Sequence, residues 1–403
     1  MLIVSIPDIL LKCLEVFKPC FSKPQFENFC FYVIGLILCL ESRNIQDINK
    51  QLGRNKDQSS LNRFITESPW LNRALRRNRR KLVKIAISNS NAKRVYLIID
   101  DTVIDKTGKH IERVGYYHST TSERRVLGHN LVTAICVIDD YVFPFEFFPY
   151  IKEEICKDEG ITFHTKIELC IKLIKSFMPP KGVEVIVIGD SWYCCESVIK
   201  AIKDKGFQFS FSIKSNRIVY YNGQKYKVSE LAKAVSYSQY SSPVKISEKE
   251  YSICPITVDI PKIGSVSLVL NKEITATQTE EDIINQQAGF IISSQLNWSG
   301  KWNLETYLKR VLTETFYRDS KQHIGLGQYQ MRKFDGIIRH WHLVFTAYIL
   351  LIVVGLQLEG SKKRKTIGEI CNLVRDLFFK ELLIWSYQQG KNGKTIDSVL
   401  TNL

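Results

Sequence analysis

The sequence predicts an α/β protein: a mixed sheet flanked by helices, a β-rich insertion, and helical N-terminal and C-terminal regions. Three observations predict it. Two runs rich in β-branched residues, RVYLIID (94–100) and VEVIVIGD (183–190), have the composition of buried strands, and each closes on an acid. Helical periodicity in TKIELCIKLIKSFM (165–178) precedes the second run, a helix over 194–203 follows it, and FQFSFSIK (207–214) alternates like a further strand. From 215 to 288 the texture changes to Tyr, Ser, Val and Ile with a turn signal at Asn222-Gly223, whereas 1–90 and 336–403 read as helices.

In chain order, the first region (1–90) is helical and basic. Within SPWLNRALRRNRRKLVKIA (68–86), Ser68 stands where a helix cap is expected and Pro69 at the first helical position. Leu71, Leu75, Leu82 and Ala86 recur on one face, while Arg73, Arg76, Arg77, Arg80 and Lys84 recur at steps of three and four on another. Eight basic residues lie between Arg63 and Lys84 against the single acid Glu67. That pattern suits a helix laid along a phosphate backbone, and a solvated face has the same signature. Residues 91–214 form the first part of the core. A polar, basic loop around Thr120 to Arg125 leads there into two more strands, LVTAICVID and YVFPFEFFPY, within 131–150. The insertion spans 215–288, and the core resumes over 289–335 with the strand GFIISSQ and a helix containing YLKRVLTETFYRDSK (307–321). Helices close the chain over 336–403, with a basic turn, SKKRK, at 361–365.

A chain of 403 residues can build more than one full-sized core, and 45% hydrophobic with 24% charged residues is ordinary for a globular protein. The net charge of +15 is not ordinary, and it favours a polyanionic partner, nucleic acid ahead of an anionic membrane surface. The eleven cysteines are scattered, odd in number and without a CxxC pair, which argues against a zinc site or disulfide framework and for a reducing cytoplasm. The N-terminus lacks the early basic residue of a secretory signal. NFCFYVIGLILCL (28–40) is too short to span a bilayer, and WHLVFTAYILLIVVGLQL (341–358) carries His342 and Gln357; both are expected as buried core helices, with no membrane role.

Three acids stand at positions that secondary structure makes special: Asp101 after the first strand, Asp190 closing a later one, and Glu314 on the helix after the insertion. Asp100 and Asp105 are rivals for the first position. Carboxylates at the ends of neighbouring strands point into the crevice where α/β sheets bind ligands. Such a set, without suitable Cys, prefers hard Mg²⁺ or Mn²⁺, and two such ions can serve a phosphodiester reaction. On an ideal helix, relative to Tyr307, Arg310 falls at about −60°, Glu314 at about −20°, Arg318 at about +20° and Lys321 at about −40°. One stripe thus carries an acid among bases: a salt-bridged face, or a metal ligand flanked by groups that grip phosphates.

The spacing Tyr307-x2-Arg310-x3-Glu314-x6-Lys321 resembles the Y-(2)-R-(3)-E-(6)-K motif of the DDE insertion-sequence transposases, which move elements by cut and paste. IIDDT (98–102) is similar to their first-aspartate strand and VIGDS (187–191) to their second. LGQYQMRKFDGIIRHWHLVFTAYILL (326–351) resembles the tail of that motif, and SLNRFITESPW (60–70) a helical segment of their DNA-binding region, so the resemblance covers roughly residues 60–355. It implies an RNase H-like core of the retroviral integrase superfamily. By position, it implies Asp101, Asp190 and Glu314 as ligands of two Mg²⁺ or Mn²⁺ ions, and Tyr307, Arg310 and Lys321 as holders of phosphates. Asp101 is preferred to Asp100 because the second acid of the family's "DDT" is usually the ligand; Arg318 is added from the helical wheel alone. Double-stranded DNA at element ends and target, and a homodimer that joins two ends, are the implied partners.

Two alternatives stand beside this. IGDSWYCCESVIKAIKDKG (188–206) is similar to a late segment of haloacid-dehalogenase-like phosphatases, but their nucleophile needs an acid two residues after the first Asp, where Thr102 or Val103 stands. A transposase-derived DNA-binding protein without catalysis is the other, and the intact acids argue against it. His118, His129 and His164 are expected to be structural, and Trp298 and Trp302 either to stack on a displaced base or to pack internally.

Overall fold

The computed structural model describes residues 3–51, 57–119, 123–358 and 364–401. Residues 120–122 of the expected basic loop and 361–363 of the SKKRK turn lie outside the described residues. Five helices come first: α1 (Asp8–Glu15), α2 (Lys23–Leu38), α3 (Ile45–Lys50), α4 (Gln58–Thr66) and α5 (Asn72–Asn89). The core follows as β1 (Arg94–Asp105), β2 (Gly115–Ser119), β3 (Arg124–Ile138), β4 (Tyr141–Tyr150), α6 (Glu153–Asp158), α7 (Lys166–Ser176), β5 (Glu184–Gly189), α8 (Glu196–Asp204) and β6 (Gln208–Ser212). The insertion contributes β7 (Ile218–Tyr221), β8 (Gln224–Lys227), α9 (Val228–Ala234), β9 (Val244–Ile246), β10 (Lys249–Ile260), β11 (Gly264–Ile274) and α10 (Glu280–Asn285). The chain ends through β12 (Gly289–Ser293), α11 (Gly300–Leu308), α12 (Val311–His323), α13 (Phe334–Leu358), α14 (Ile367–Lys391) and α15 (Ile396–Thr401).

These strands form one mixed sheet in the order β2-β3-β1-β5-β6-β12-β11-β10-β7-β8, with β4 beside β3 and β9 beside β10. β1 runs antiparallel to β3 and parallel to β5, which runs parallel to β6. The insertion extends this sheet, because β12 returns antiparallel to β6 and carries β11 on its other edge. α12 packs on β1, and α7 packs on β3 and β4.

α13 is the organising core helix. It packs against α1, α2, α4, α5, α14 and β4, so the N-terminal helices and the C-terminal pair share one apolar interior with the sheet. Among the described residues it is the one helix long and apolar enough to cross a membrane, and 78% of its apolar window is buried in protein. Its buried histidines are satisfied: His340 Nδ1 meets the Tyr32 hydroxyl at 2.9 Å and its Nε2 the Gly325 carbonyl at 3.0 Å.

Two local expectations need correction. α5 starts at Asn72 with Leu71 as its cap, not at Ser68 and Pro69. Trp70 is the reason: it is buried, stacks on Phe64 at 5.3 Å and donates its indole N–H to the Phe64 carbonyl at 2.7 Å, which holds this stretch outside the helix. Leu71 consequently stands exposed instead of on the apolar face. The helix expected through 307–321 is also two helices. Three-residue turns at the junction (Arg310 N–H to Tyr307 O, 2.9 Å; Thr313 N–H to Arg310 O, 2.9 Å) separate α11 from α12, so Tyr307 and Glu314 do not share one continuous stripe.

Candidate active site

Adjacent residues on a strand face opposite sides of the sheet. Asp100 and Asp101, neighbours on β1, therefore part company. Asp100 Oδ2 accepts from Arg310 Nη1 at 2.9 Å, and the other guanidinium nitrogen, Nη2, meets Glu314 Oε1 at 3.3 Å. Thr133, the cross-strand partner of Asp100, bonds the Tyr317 hydroxyl of α12 at 2.6 Å on the same face. Asp101 is held on the α7 side: its Oδ2 accepts from Lys166 Nζ at 2.6 Å and Asn130 Nδ2 at 2.8 Å, and its Oδ1 from the Tyr193 hydroxyl at 3.1 Å.

Asp190 follows the end of β5, which pairs with β1 through Ile188↔Ile98. Its Oδ1 accepts the backbone N–H of Trp192 at 2.9 Å, a short turn that fixes the carboxylate locally. Gly189 is required just before it, because a Cβ there would come to 2.5 Å from the Phe211 ring. Burial pushes the Asp100 pKa up to about 7, with Asp101 and Asp190 adding to the rise and Arg310 opposing it. Burial likewise opposes the charge on Arg310, yet Asp100, Tyr307, Glu314 and Asp190 outweigh it and raise its pKa.

The structure thus joins Asp100, Arg310 and Glu314 by direct bonds, with Asp101 and Asp190 close enough for their charges to act on Asp100, and it holds the Asp101 carboxylate on Lys166, Asn130 and Tyr193. Glu314 is largely exposed, its side chain 61% accessible. Among the described residues no three His, Cys, Asp or Glu side chains form a ready metal-holding group. The donor set nonetheless fits a hard divalent cation: it is all carboxylate, one member is costly to ionise where it sits, and the Arg310 cation already bridges two members. Of the other expected contacts, Tyr307 packs its ring between two apolar clusters. Lys321 donates to the Val103 carbonyl at 3.0 Å, bracing α12 on β1, and burial lowers its pKa. Arg318 is exposed and meets Asp319 at 3.4 Å.

The basic stripe of α5 divides. Arg76 and Arg80 are not free phosphate grips. With Arg79 they clamp the buried Glu146 of β4, at 2.8 Å, 2.6 Å and 2.9 Å. Arg73, Arg77 and Lys84 remain exposed. Sequence reasoning missed this clamp, as it missed Lys166, Asn130 and Tyr193 around Asp101; only the apolar context FPFEFFP hinted that Glu146 would be buried. His129 is structural, bonding the Tyr329 hydroxyl at 2.8 Å and the Glu112 carbonyl at 2.9 Å. The rings of Trp298 and Trp302 have their centroids 4.5 Å and 5.6 Å from the guanidinium of Arg94, the first residue of β1, whereas Asp100 and Asp101 lie in the middle of that strand.

A large mixed sheet with helical termini is the architecture of the DDE class of RNase H-like α/β proteins. A family profile described as DDE superfamily endonuclease matches residues 16–234, more than half of the chain, and a Transposase DDE domain profile matches residues 166–350. The chain belongs to the DDE superfamily endonucleases. It is 27% identical over 197 residues to the probable transposase for insertion sequence element IS701 of Microchaete diplosiphon. That match takes in 48% of this chain and 50% of the relative, so the chain spans about half the length of the curated relative it matches. The phosphatase alternative falls with the family match.

Proposed function

We propose that this chain is a DNA transposase: it cuts phosphodiesters at insertion-sequence ends and transfers the freed strand into target DNA. The observation that carries this reading is the Arg310 bridge between Asp100 and Glu314, on a family-matched fold with Asp190 at the neighbouring strand end. Asp100 takes the place of Asp101 as first carboxylate, because Asp100 faces α12 and Asp101 is occupied on the other side of the sheet. Asp100, Asp190 and Glu314 would hold Mg²⁺ or Mn²⁺, as two ions, which when bound supply the Lewis-acid charge that activates the attacking oxygen and steadies the leaving one.

The remaining roles belong to the protein's own groups. Arg310, released from Glu314, offers a forked donor to a phosphate, whereas Lys321, bonded to the Val103 carbonyl, and Tyr307, packed between two apolar clusters, would reach a phosphate only on leaving those contacts. Arg318, exposed on α12, would meet the same strand from solvent. Asp101, tied to Lys166, Asn130 and Tyr193, fixes the β1 backbone beside Asp100. Exposed Arg73, Arg77 and Lys84 bind double-stranded DNA outside the reaction centre. Joining two ends calls for a homodimer on DNA, working at the nucleoid in the cytoplasm.

The test uses linear DNA carrying the element's ends with Mg²⁺. Wild-type protein is expected to cut it. Glu314→Gln and Asp100→Asn are expected to bind the ends in a gel shift yet lose about a hundredfold or more of the cutting rate. Asp101→Asn should retain more activity than Asp100→Asn. Cutting that survives undiminished in Glu314→Gln refutes the proposal.

A further inference from the structure

The loop after Asp190 carries a side chain that the carboxylates do not use. Trp192 is 58% exposed, although its backbone is fixed by the bond to Asp190. An indole is a large apolar group that folding ordinarily hides, and here it lines an open cavity of about 750 Å³. Lys214, Arg217 and Lys262 line the same cavity; its acid is Glu196, which Lys262 meets at 3.2 Å on the rim. Lys214 Nζ stands 5.5 Å from the Trp192 ring centroid. Cys194 and Ile213, both buried, supply apolar wall.

A flat aromatic surface with unbalanced positive charge around it is the chemistry that binds single-stranded nucleic acid: the base stacks and the cations take the flanking phosphates. The cavity has room for a base with its sugar and phosphate. A base inside a duplex has both faces covered, so the occupant must be an unpaired or displaced nucleotide. The geometry points to Trp192 as a stacking platform for such a nucleotide, with Lys214 and Arg217 on its phosphates, which sets the register of the strand lying across Asp190. This rests on the transposase reading, since only a strand engaged at Asp190 delivers a nucleotide here.

The test compares a blunt duplex with the same duplex ending in an unpaired overhang that carries 2-aminopurine. Wild-type protein is expected to prefer the overhang and to quench its fluorescence. Trp192→Ala should weaken overhang binding by about 5- to 150-fold and leave blunt-duplex binding unchanged, while Trp192→Phe recovers most of the loss. Lys214→Ala should weaken both the preference and its dependence on salt. Because Trp192 is exposed, an unchanged melting temperature is expected for each variant. If Trp192→Ala binds and quenches as the wild type does, this inference fails while the transposase reading stands. If the wild type binds neither DNA, both fail. Displacement of the quenched probe by free dAMP at comparable concentration would make the cavity a mononucleotide site and overturn the strand assignment.

Discussion

Replacing Glu146 by Ala is expected to lower the melting temperature by about 4–6 °C without touching any carboxylate of the reaction centre. The Glu146 side chain is 0% accessible and accepts from Arg76, Arg79 and Arg80, and from the backbone N–H of Phe147 at 3.2 Å. Arg79 is buried with it, and burial drives the Arg79 pKa down to about 10 even with Glu146 beside it. Removing the carboxylate strands one fully buried and two half-buried cations, and breaking such a pair costs about 3–5 kcal/mol. Unfolding entropy of about 2.1 cal/mol/K per residue gives roughly 0.85 kcal/mol/K for this chain, hence the expected shift. Burial works against the Glu146 charge, but the three arginines outweigh it and hold its pKa below the ordinary 4.5. A depressed carboxylate contributes its stability above the ordinary value and loses it as pH falls through the lower folded one. The gap between wild type and Glu146→Gln should therefore be full at neutral pH and narrow below pH 4.5. Thermal unfolding followed by circular dichroism measures both. A melting temperature within about 1 °C of wild type, or a gap that persists in acid, would refute the clamp.

Neutralising Arg73, Arg77 and Lys84 together should reduce the slope of log affinity against log salt by up to about 2.7, at 0.9 per lost phosphate contact, and leave the melting temperature alone. Arg76→Gln should do the reverse; an equal loss of slope there would return Arg76 to the DNA face. Trp70→Ala should cost about 3–5 kcal/mol in denaturant unfolding, since it empties a stack on Phe64 and frees a buried carbonyl. Gly189→Ala should cost about 1–3 kcal/mol, because its Cβ would press on Phe211, and cutting should fall with it as Asp190 shifts; a variant with wild-type stability and activity would remove the packing argument.

The strands nearest the site were legible because burial on both faces leaves uninterrupted β-branched runs, as in VEVIVIG and RVYLIID. β1 nonetheless runs on to Asp105, because its polar continuation DDTVID pairs with β3 alone, and hydrophobicity gives no sign of a one-sided ladder. β2 was missed: GYYHS is five residues long and carries no recognisable alternation beyond its aromatic pair. The break between α11 and α12 has no Gly or Pro to announce it, since Lys309 and Arg310 stay in helical backbone while the turn tightens. The Glu146 clamp was hidden for a different reason. Its members lie about seventy positions apart, and only the packing of α5 on β4 makes them neighbours.

The pairings around Asp100 and Asp101 and along α5 come from the same geometry. On β1 a step of one residue reverses the face, so "DDT" gives one acid to the α12 side and the other to Lys166, whatever the pair's likeness in sequence. On α5 a step of one residue rotates the side chain by about 100°, so Arg76, Arg79 and Arg80 fall within one sector, and Arg73, Arg77 and Lys84 in the adjoining one. A sequence motif fixes residue type and spacing along the chain, but the fold decides which face each carboxylate or arginine occupies and which partners it meets there. Arg310 is the informative case, because it is both claimed and releasable. Its pairing with the buried Asp100 is nearly shielded from solvent, whereas its pairing with Glu314 is longer and open to water. On the proposed function, an incoming phosphate would compete with the weaker contact first, and the carboxylate it would free is Glu314, the proposed ligand.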